Sequence, residues 1–532
     1  MGIPSYFSYI VRSHRNIIKK YNPLNKKIDN LYLDCNSIIY DSVREIKNES
    51  NKDTFEKKLI DLVNIKLVYY FNLIKPHKRV YIAFDGVAPV AKLEQQRNRR
   101  YKSWFEKNVC EELSLPEKEK GCSEWNTVAI TPGTEFMAKL GKSVKKYFKD
   151  NKKYKLGELI VSCSDEAGEG EHKIYEYIRN NEDYHKQTST AIYGLDADLI
   201  MLTLNHLHIS KKLYLFRETP HFIKSIDKTL DPNTNYLMDI PELAEKLVED
   251  FCGNENTANS QKKIIFDYIL LCFFLGNDFM PHFPALNIRT DGIARLMETY
   301  KDVMMSKRLY ITDGSNINWK NLRKYVSALS ESEHSYIKIE YKKRRKQRAR
   351  RHDNKCKDYI FNSLMDSPIK DRSCEEYINP FENGWRDRYY KELFGIDIDE
   401  ERCKEICKNY LEGLEWTMNY YTTGCKDWRW TYKYAYPPLL CDLERYIPYF
   451  NVEMLERKEK NPVKDWVQLS YVVPKPYLDL LPNELKEKLL KDFGSWYNTD
   501  CDIKWAFCRY FWESHVLLPE IDINRLENIS II

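Results

Sequence analysis

The first two hundred residues repeatedly run from a short apolar stretch into an acidic residue. Leu31-Tyr32-Leu33 leads into Asp34, Val80–Phe84 into Asp85, and Thr190–Tyr193 into Gly194-Leu195-Asp196-Ala197-Asp198. Short runs rich in Val, Ile and Tyr read as buried central strands. Five are expected, at Asn30–Leu33, Arg79–Phe84, Glu158–Ser162, Thr190–Tyr193 and Lys212–Arg217. Helical patterns alternate with them, which predicts an α/β core. In open α/β sheets ligands bind beyond the C-terminal ends of the strands. Asp34, Asp85 and Asp196 fall at that rim.

Gly168-Glu169-Gly170-Glu171-His172-Lys173 adds two carboxylates two positions apart. On an extended segment such a pair shares a face, and the glycines permit a turn and a close backbone approach. A helix over His172–Asn181 is expected to begin right after Glu171, so His172 reads as a helix-start residue and not a ligand. Asp196 and Asp198 repeat the spacing. A second helix, Ile264–Leu275, should end at Gly276 as a left-handed cap, leaving Asp278 just beyond. Singly, each acid could be a cap or a turn residue. Together they are too much negative charge to bury unpaired. Hard cations with oxygen ligands, Mg²⁺ or Mn²⁺, would resolve the repulsion. Two of them about 4 Å apart can activate water against a phosphodiester.

Charge balance is uninformative about partners, since 84 Lys+Arg minus 79 Asp+Glu is +5. A chain of 532 residues with 43% hydrophobic content predicts two or more packed subdomains. None of the 14 Cys forms a Cys-x-x-Cys pair, which argues for scattered reduced thiols over zinc or disulfides. No apolar run is long enough to span a bilayer, and no signal peptide is evident. Gly2 invites a lipid-acceptor reading, but Tyr6 stands where Ser or Thr is wanted, so a packed N-terminus is expected.

After Pro89, a helical pattern over Ala91–Glu106 places Lys92, Gln96, Arg99 and Arg100 on one face. Periodicity alone reads this as a solvated basic face. The run Lys342–Arg351 reads as an exposed helix or a mobile, solvated linker, with RNA contact and nuclear import as alternatives. From Tyr377 onward the chain is helical and rich in Trp and Tyr, with Trp416, Tyr420 and Tyr421 expected in its core.

In their order along the chain, these motifs resemble the Xrn family of 5′-to-3′ exoribonucleases. The resemblance is carried by Leu31–Ser37, Asp85–Pro89, Thr131–Met137, Gly168–Lys173, Gly194–Met201 and Gly276–Phe279. Further along it is carried by Gly384–Tyr390 and Trp428–Trp430. The resemblance implies a PIN/flap-nuclease-like mixed central sheet flanked by helices, with a mainly helical C-terminal subdomain completing the active site. It implies a nuclease domain over 1–300, a connecting segment with the basic run over 301–376, and a helical block over 377–532. The form would be minimal and core-only, without the C-terminal domains of long members.

Asp34, Asp85, Glu169, Glu171, Asp196, Asp198 and Asp278 are then the catalytic, metal-binding acids for Mg²⁺, with Mn²⁺ able to replace it, as two ions. Lys92, Gln96, Arg99 and Arg100 become a pocket for a terminal 5′-monophosphate. The first base is stacked by Tyr40, standing where the family has a His, and by Trp430, with Trp428 as the alternative. The implied substrate is single-stranded RNA with a 5′-monophosphate, degraded processively to nucleoside monophosphates. The implied setting is a monomer in the cytoplasm or nucleus, with the decapping machinery as a conceivable partner and no membrane. A structure-specific 5′ nuclease acting on DNA and a catalytically silent RNA-binding subunit are the alternatives.

Overall fold

The computed structural model describes residues 2–529, except 48, 50, 114–124, 219–223, 225–226, 232–233, 253–257, 315, 349–358, 457 and 459–460. A seven-stranded mixed sheet forms the centre. Its strands are β1 (Ile18–Lys20), β2 (Asn30–Asp34), β3 (Arg79–Ala83), β4 (Glu158–Ser162), β5 (Thr190–Tyr193), β6 (Leu213–Arg217) and β7 (Tyr236–Asp239), in the spatial order β1-β7-β6-β5-β2-β3-β4. The five from β2 to β6 are the expected ones and run parallel, while β7 and β1 add antiparallel pairs at one edge. β1 has only three residues, two of them exposed lysines, and so carries no apolar alternation to reveal it. β4 is not central. It closes the other edge and is half-buried along most of its length.

The order of connections positions the site. From β2 the chain steps to β3 and β4 on one side, then returns to β5 and β6 on the other. The switch point falls at β2, where a crevice opens between diverging connections. Leu33 is in register with both Ile82 and Tyr193, and Asp34 with Ala83. Four adjacent parallel strands therefore deliver their following residues to one rim.

Eight helices frame the site and its surroundings: α1 (Tyr6–Ser13), α2 (Asn36–Glu45), α3 (Val90–Glu112), α4 (Gly170–Asn180), α5 (Asp198–His206), α6 (Ala258–Phe273), α7 (Trp319–Arg348) and α8 (Glu400–Thr422). Two apolar cores sandwich the sheet. The larger continues from α5 and α6 into α8, so the C-terminal helices pack on the central sheet through one hydrophobic core. A third cluster joins Val87, Val90 and Leu93 to Val467, Leu469 and Val472, which clasps the start of α3.

Two helical expectations change. α4 begins at Gly170, not after Glu171, so Glu169 is its N-cap and Glu171 lies in its first turn. The pair is not an extended segment. Glycine's low helix propensity hides this start from the sequence, and the carboxylates converge because both lie at the mouth of one helix. Of the two readings of the basic run, the helix holds through 348: residues 342–348 end the thirty-residue α7, although not all of them are exposed. Arg344 points inward and pairs with Glu375 at 2.7 Å. Residues 349–351 of the run lie outside the described residues. Ile264–Leu275 is helical as far as Phe273, and Gly276 caps the turn at φ +82°.

Candidate active site

The seven acids form one cluster. Asp34 ends β2, Asp85 follows β3, Glu169 and Glu171 open α4 after β4, and Asp196 and Asp198 follow β5 at the start of α5. Asp278 comes from the turn after α6. All are buried except Asp85, which is half-buried, and Asp196 and Asp278. Asp278 is half-buried as a residue although its carboxylate is only 4% exposed, and Asp196 faces solvent. Asp34 feels Asp85, Asp196 and Glu169. Glu171 feels Glu169, Asp34 and Asp196, and Asp198 feels Asp278 and Asp196.

Small residues allow this crowding. A Cβ on Gly170 would lie 2.6 Å from Asp34 Oδ1, so only glycine lets α4 come this close to β2. The Gly170 amide donates to Asp85 at 2.7 Å. Asn36, at the start of α2, holds Asp85 from the other side: its amide group donates to one carboxylate oxygen, and its Oδ1 accepts from the Asp85 amide at 3.1 Å. Gly2, read as packed, is buried here, and its amide donates to Asp278 at 3.1 Å.

Burial is the main electrostatic force. It pushes the Asp34, Asp85 and Glu171 carboxyls up, and neighbouring carboxylates push further. Asp198 is pushed up to about 7 by burial, with Asp278 adding to it. Lys92 is the counter-charge. Its ammonium lies 2.6 Å from both Asp278 and Glu169. Burial disfavours that ammonium, yet the two carboxylates hold its pKa well above the ordinary lysine range. Burial would raise Asp278 too, but Lys92 beside it keeps it well below the usual carboxylate range.

Lys173, Arg99 and Arg217 also act on single members of the cluster, but seven acids still outnumber the cations around them, and oxygen donors held this way suit a hard divalent cation. The tightest group combines Glu169, Glu171 and His172, whose donor atoms all lie within 4.8 Å of one another. The His172 ring stacks on Tyr420 at 3.7 Å, and burial keeps it neutral, with Lys92 reinforcing this. If the cluster holds divalent ions, metal-stripped protein should gain thermal stability on adding Mg²⁺ or Mn²⁺. At a hundredfold excess over Kd the gain is about 2 °C for a chain of this length. Glu169→Gln with Glu171→Gln should abolish it. Differential scanning calorimetry reads both.

The basic face of α3 continues from this cluster. Lys92, Gln96 and Arg100 are buried and Arg99 is half-buried. Lys92 to Arg100 spans about 12 Å at 1.5 Å per residue. The solvated-face reading therefore fails. Arg100 Nη2 donates to Thr131 Oγ1 at 2.6 Å, but its Nε is buried without a partner, as is Gln96 Oε1. Among the described residues Arg100 makes no ion pair. Burial draws its guanidinium down to about 10, with Tyr40 partly opposing. Tyr40, on α2, thus stands close to the pocket and is half-buried.

The stacking tryptophans separate. Trp430 is only 7% exposed, stacks on Trp416 at 5.2 Å and meets Gly413, so it is core and not a cleft residue. Trp428, two positions earlier in a loop, is half-buried, and its carbonyl accepts from the Val90 amide at the start of α3 at 3.0 Å.

Three participants were not apparent from sequence. Tyr420, expected only as core, donates its hydroxyl to Glu169 at 2.9 Å. Tyr421 hydrogen-bonds Asp198. Thr131 opens a motif noted only for its resemblance and anchors Arg100. Nothing local distinguishes such aromatics from packing residues.

A carboxylate cluster at the rim of a mixed sheet, with buried cationic groups beside it, is an arrangement suited to phosphodiester chemistry, and nucleases are the class it fits. The chain belongs to the XRN 5′-3′ exonuclease family: the family's N-terminal model matches residues 1–219, and the Xrn1 helical domain matches 259–366 and 360–530. Among curated relatives, the 5′-3′ exoribonuclease 2 of Gallus gallus is 27% identical over 99% of this chain and 69% of its own length. The 5′-3′ exoribonuclease 1 of Homo sapiens is 28% identical, and that of Saccharomyces cerevisiae 25%. Each aligns with 99% of this chain but with only 34% and 43% of its own length. The catalytic core of Rad2 in complex with DNA aligns with 68% of this chain and 86% of its own, at 12% identity and a TM-score of 0.32. Among the described residues no helix is long and apolar enough to cross a membrane.

Proposed function

We propose that this protein is a divalent-metal-dependent 5′-to-3′ exoribonuclease that removes nucleoside 5′-monophosphates processively from single-stranded RNA bearing a 5′-monophosphate. One observation carries the reading: a single helix, α3, joins the acid cluster through Lys92 to Arg100, a buried arginine with no ion pair among the described residues. A terminal phosphate fits that position. It would give Arg100 Nε an acceptor and neutralise a charge that burial disfavours. A phosphate site closed around these buried groups would favour a monophosphate over a cap or a triphosphate, and would grip the substrate by its end.

Asp34, Asp85, Glu169, Glu171, Asp196, Asp198 and Asp278 would hold Mg²⁺ or Mn²⁺. When bound, such ions supply activation of water and charge neutralisation at the scissile phosphodiester. The chain's own groups do the rest. Tyr420 orients Glu169 and Asn36 orients Asp85, so neither carboxylate needs to reorganise. Lys92, Gln96, Arg99 and Arg100 fix the 5′ end. Tyr40, close to Arg100, and Trp428, whose carbonyl meets the start of α3, would stack the first base.

The direct test uses one RNA labelled at the 5′ end and another at the 3′ end, with Mg²⁺ or EDTA. Labelled mononucleotide should appear at once from the 5′ label, the 3′ label should stay in long product, and EDTA should stop both. Internal fragments, or release from the 3′ end, would contradict the reading. Tyr40→Ala and Trp428→Ala should each slow degradation of a stem-containing RNA by about tenfold, since base stacking is worth roughly 1–3 kcal/mol. Tyr40→Phe and Tyr40→His, which keep a ring, should be nearly silent in single-turnover decay. A severe defect in Tyr40→Phe would assign the side chain a hydrogen-bonding role instead.

A further inference from the structure

Outside the acid cluster, two aromatic rings lie in solvent on well-braced chain. Tyr510 and Trp512 stack 5.8 Å apart and 12° from parallel, yet remain 43% and 42% exposed. Guanidiniums flank them: Arg289 lies 5.2 Å and Arg509 5.6 Å from the Tyr510 ring. Glu513 braces the turn by accepting from the Arg509 and Tyr510 amides at 2.7 and 3.2 Å and by pairing with Arg289 at 2.6 Å. Lys102 of α3 donates to the carbonyls of Trp512 and Ser514 at 2.6 and 2.7 Å.

The pair is linked at both ends. Arg289 donates to Ser5 Oγ at 3.1 Å, and Gly2, in the same N-terminal segment, donates to Asp278. At about 3.8 Å per Cα step, and adding the reach of Arg289, the rings lie within roughly 25 Å of the acids. On the far side Arg509 donates to Gln347 at 3.2 Å. Gln347 sits in the last turns of α7, which expose Lys342, Arg345, Lys346 and Arg348.

We propose that the Tyr510–Trp512 stack and the basic end of α7 form a track for single-stranded RNA downstream of the scissile bond. The proposal rests on the exoribonuclease reading above. Stacked rings accept bases of any sequence, and the cations beyond them take phosphates, as a processive enzyme needs. At about 3.4 Å per stacked nucleotide, at most about seven nucleotides reach from the acids to the rings. A protein partner fits less well, because the patch is two rings edged by charge and not a broad apolar surface.

The test is fluorescence anisotropy in EDTA with the full chain and unstructured RNAs of four and fifteen nucleotides, each with 5′-monophosphate and 5′-hydroxyl ends. Tyr510→Ala with Trp512→Ala should weaken binding of the longer RNA about tenfold and leave the shorter unchanged, which also reports an intact fold. Tyr510→Phe with Trp512→Phe should restore it. Arg345→Ala with Lys346→Ala should flatten the salt dependence for the longer RNA alone. Equal losses at both lengths, or no loss at the longer, would overturn the track. So would a change in sedimentation with RNA binding intact, which would assign the patch to a protein contact. A length-specific loss that is the same for both end groups would leave the track standing even if the 5′-phosphate reading failed.

Discussion

Asp196→Asn combined with Asp198→Asn is expected to slow RNA hydrolysis at least about a thousandfold, some 4 kcal/mol of transition-state stabilisation, while leaving the fold and RNA binding intact. The substitutions preserve shape and remove only charge. Asp198 is buried against Asp278, and its carboxyl is pushed up to about 7. Between the ordinary aspartate value near 3.8 and 7, the folded state therefore holds a proton that the unfolded chain releases, and stability falls as pH rises through that window. Asparagine removes this penalty. Without metal at pH 8, the double variant should melt no lower than the wild type. Calorimetry beside a single-turnover assay checks both halves. Robust cleavage in Mg²⁺ would remove these two acids from the centre, and a lower melting temperature would show that they are structural.

Arg100→Ala should reduce the preference for 5′-monophosphate over 5′-hydroxyl RNA by about tenfold to a hundredfold. A charge-assisted hydrogen bond in a desolvated pocket is worth roughly 1.5–3 kcal/mol. Arg100 is the cleanest probe because among the described residues it bonds Thr131 and no carboxylate, so its loss leaves none of them stranded. Arg100→Lys should recover part of the preference, since it keeps the charge but not the fork. Lys92→Ala should behave differently. It also exposes Asp278 and Glu169 to each other, so cleavage rate and end preference should both fall. If the preference survives Arg100→Ala, the terminal phosphate is read elsewhere.

The acids were legible because strand ends and glycine-flanked turns are local signals, and because their order along the chain is specific. Their exact presentation was not. Glu169 and Glu171 sit at a helix mouth that two glycines disguise. Trp428 and Trp430 are indistinguishable by type and separate only by which side of a loop meets the core. Arg344 looks like one cation in a solvated run, but its partner Glu375 is 31 positions away and becomes adjacent only in the fold. Tyr420 reads as packing because its hydroxyl bond to Glu169 spans 251 positions. In each case a local pattern gave the residue type, and a distant partner decided its role.

The most direct measurement of the central claim compares initial rates on one RNA sequence carrying a 5′-monophosphate, 5′-hydroxyl, 5′-triphosphate or cap, with matched single-stranded DNA, all in Mg²⁺. The buried Arg100, without an ion pair among the described residues and on the same helix as Lys92, predicts rapid mononucleotide release from the monophosphate RNA and rates at least about tenfold lower for every other end. Equal rates across the four ends, or a preference for the DNA, would contradict it.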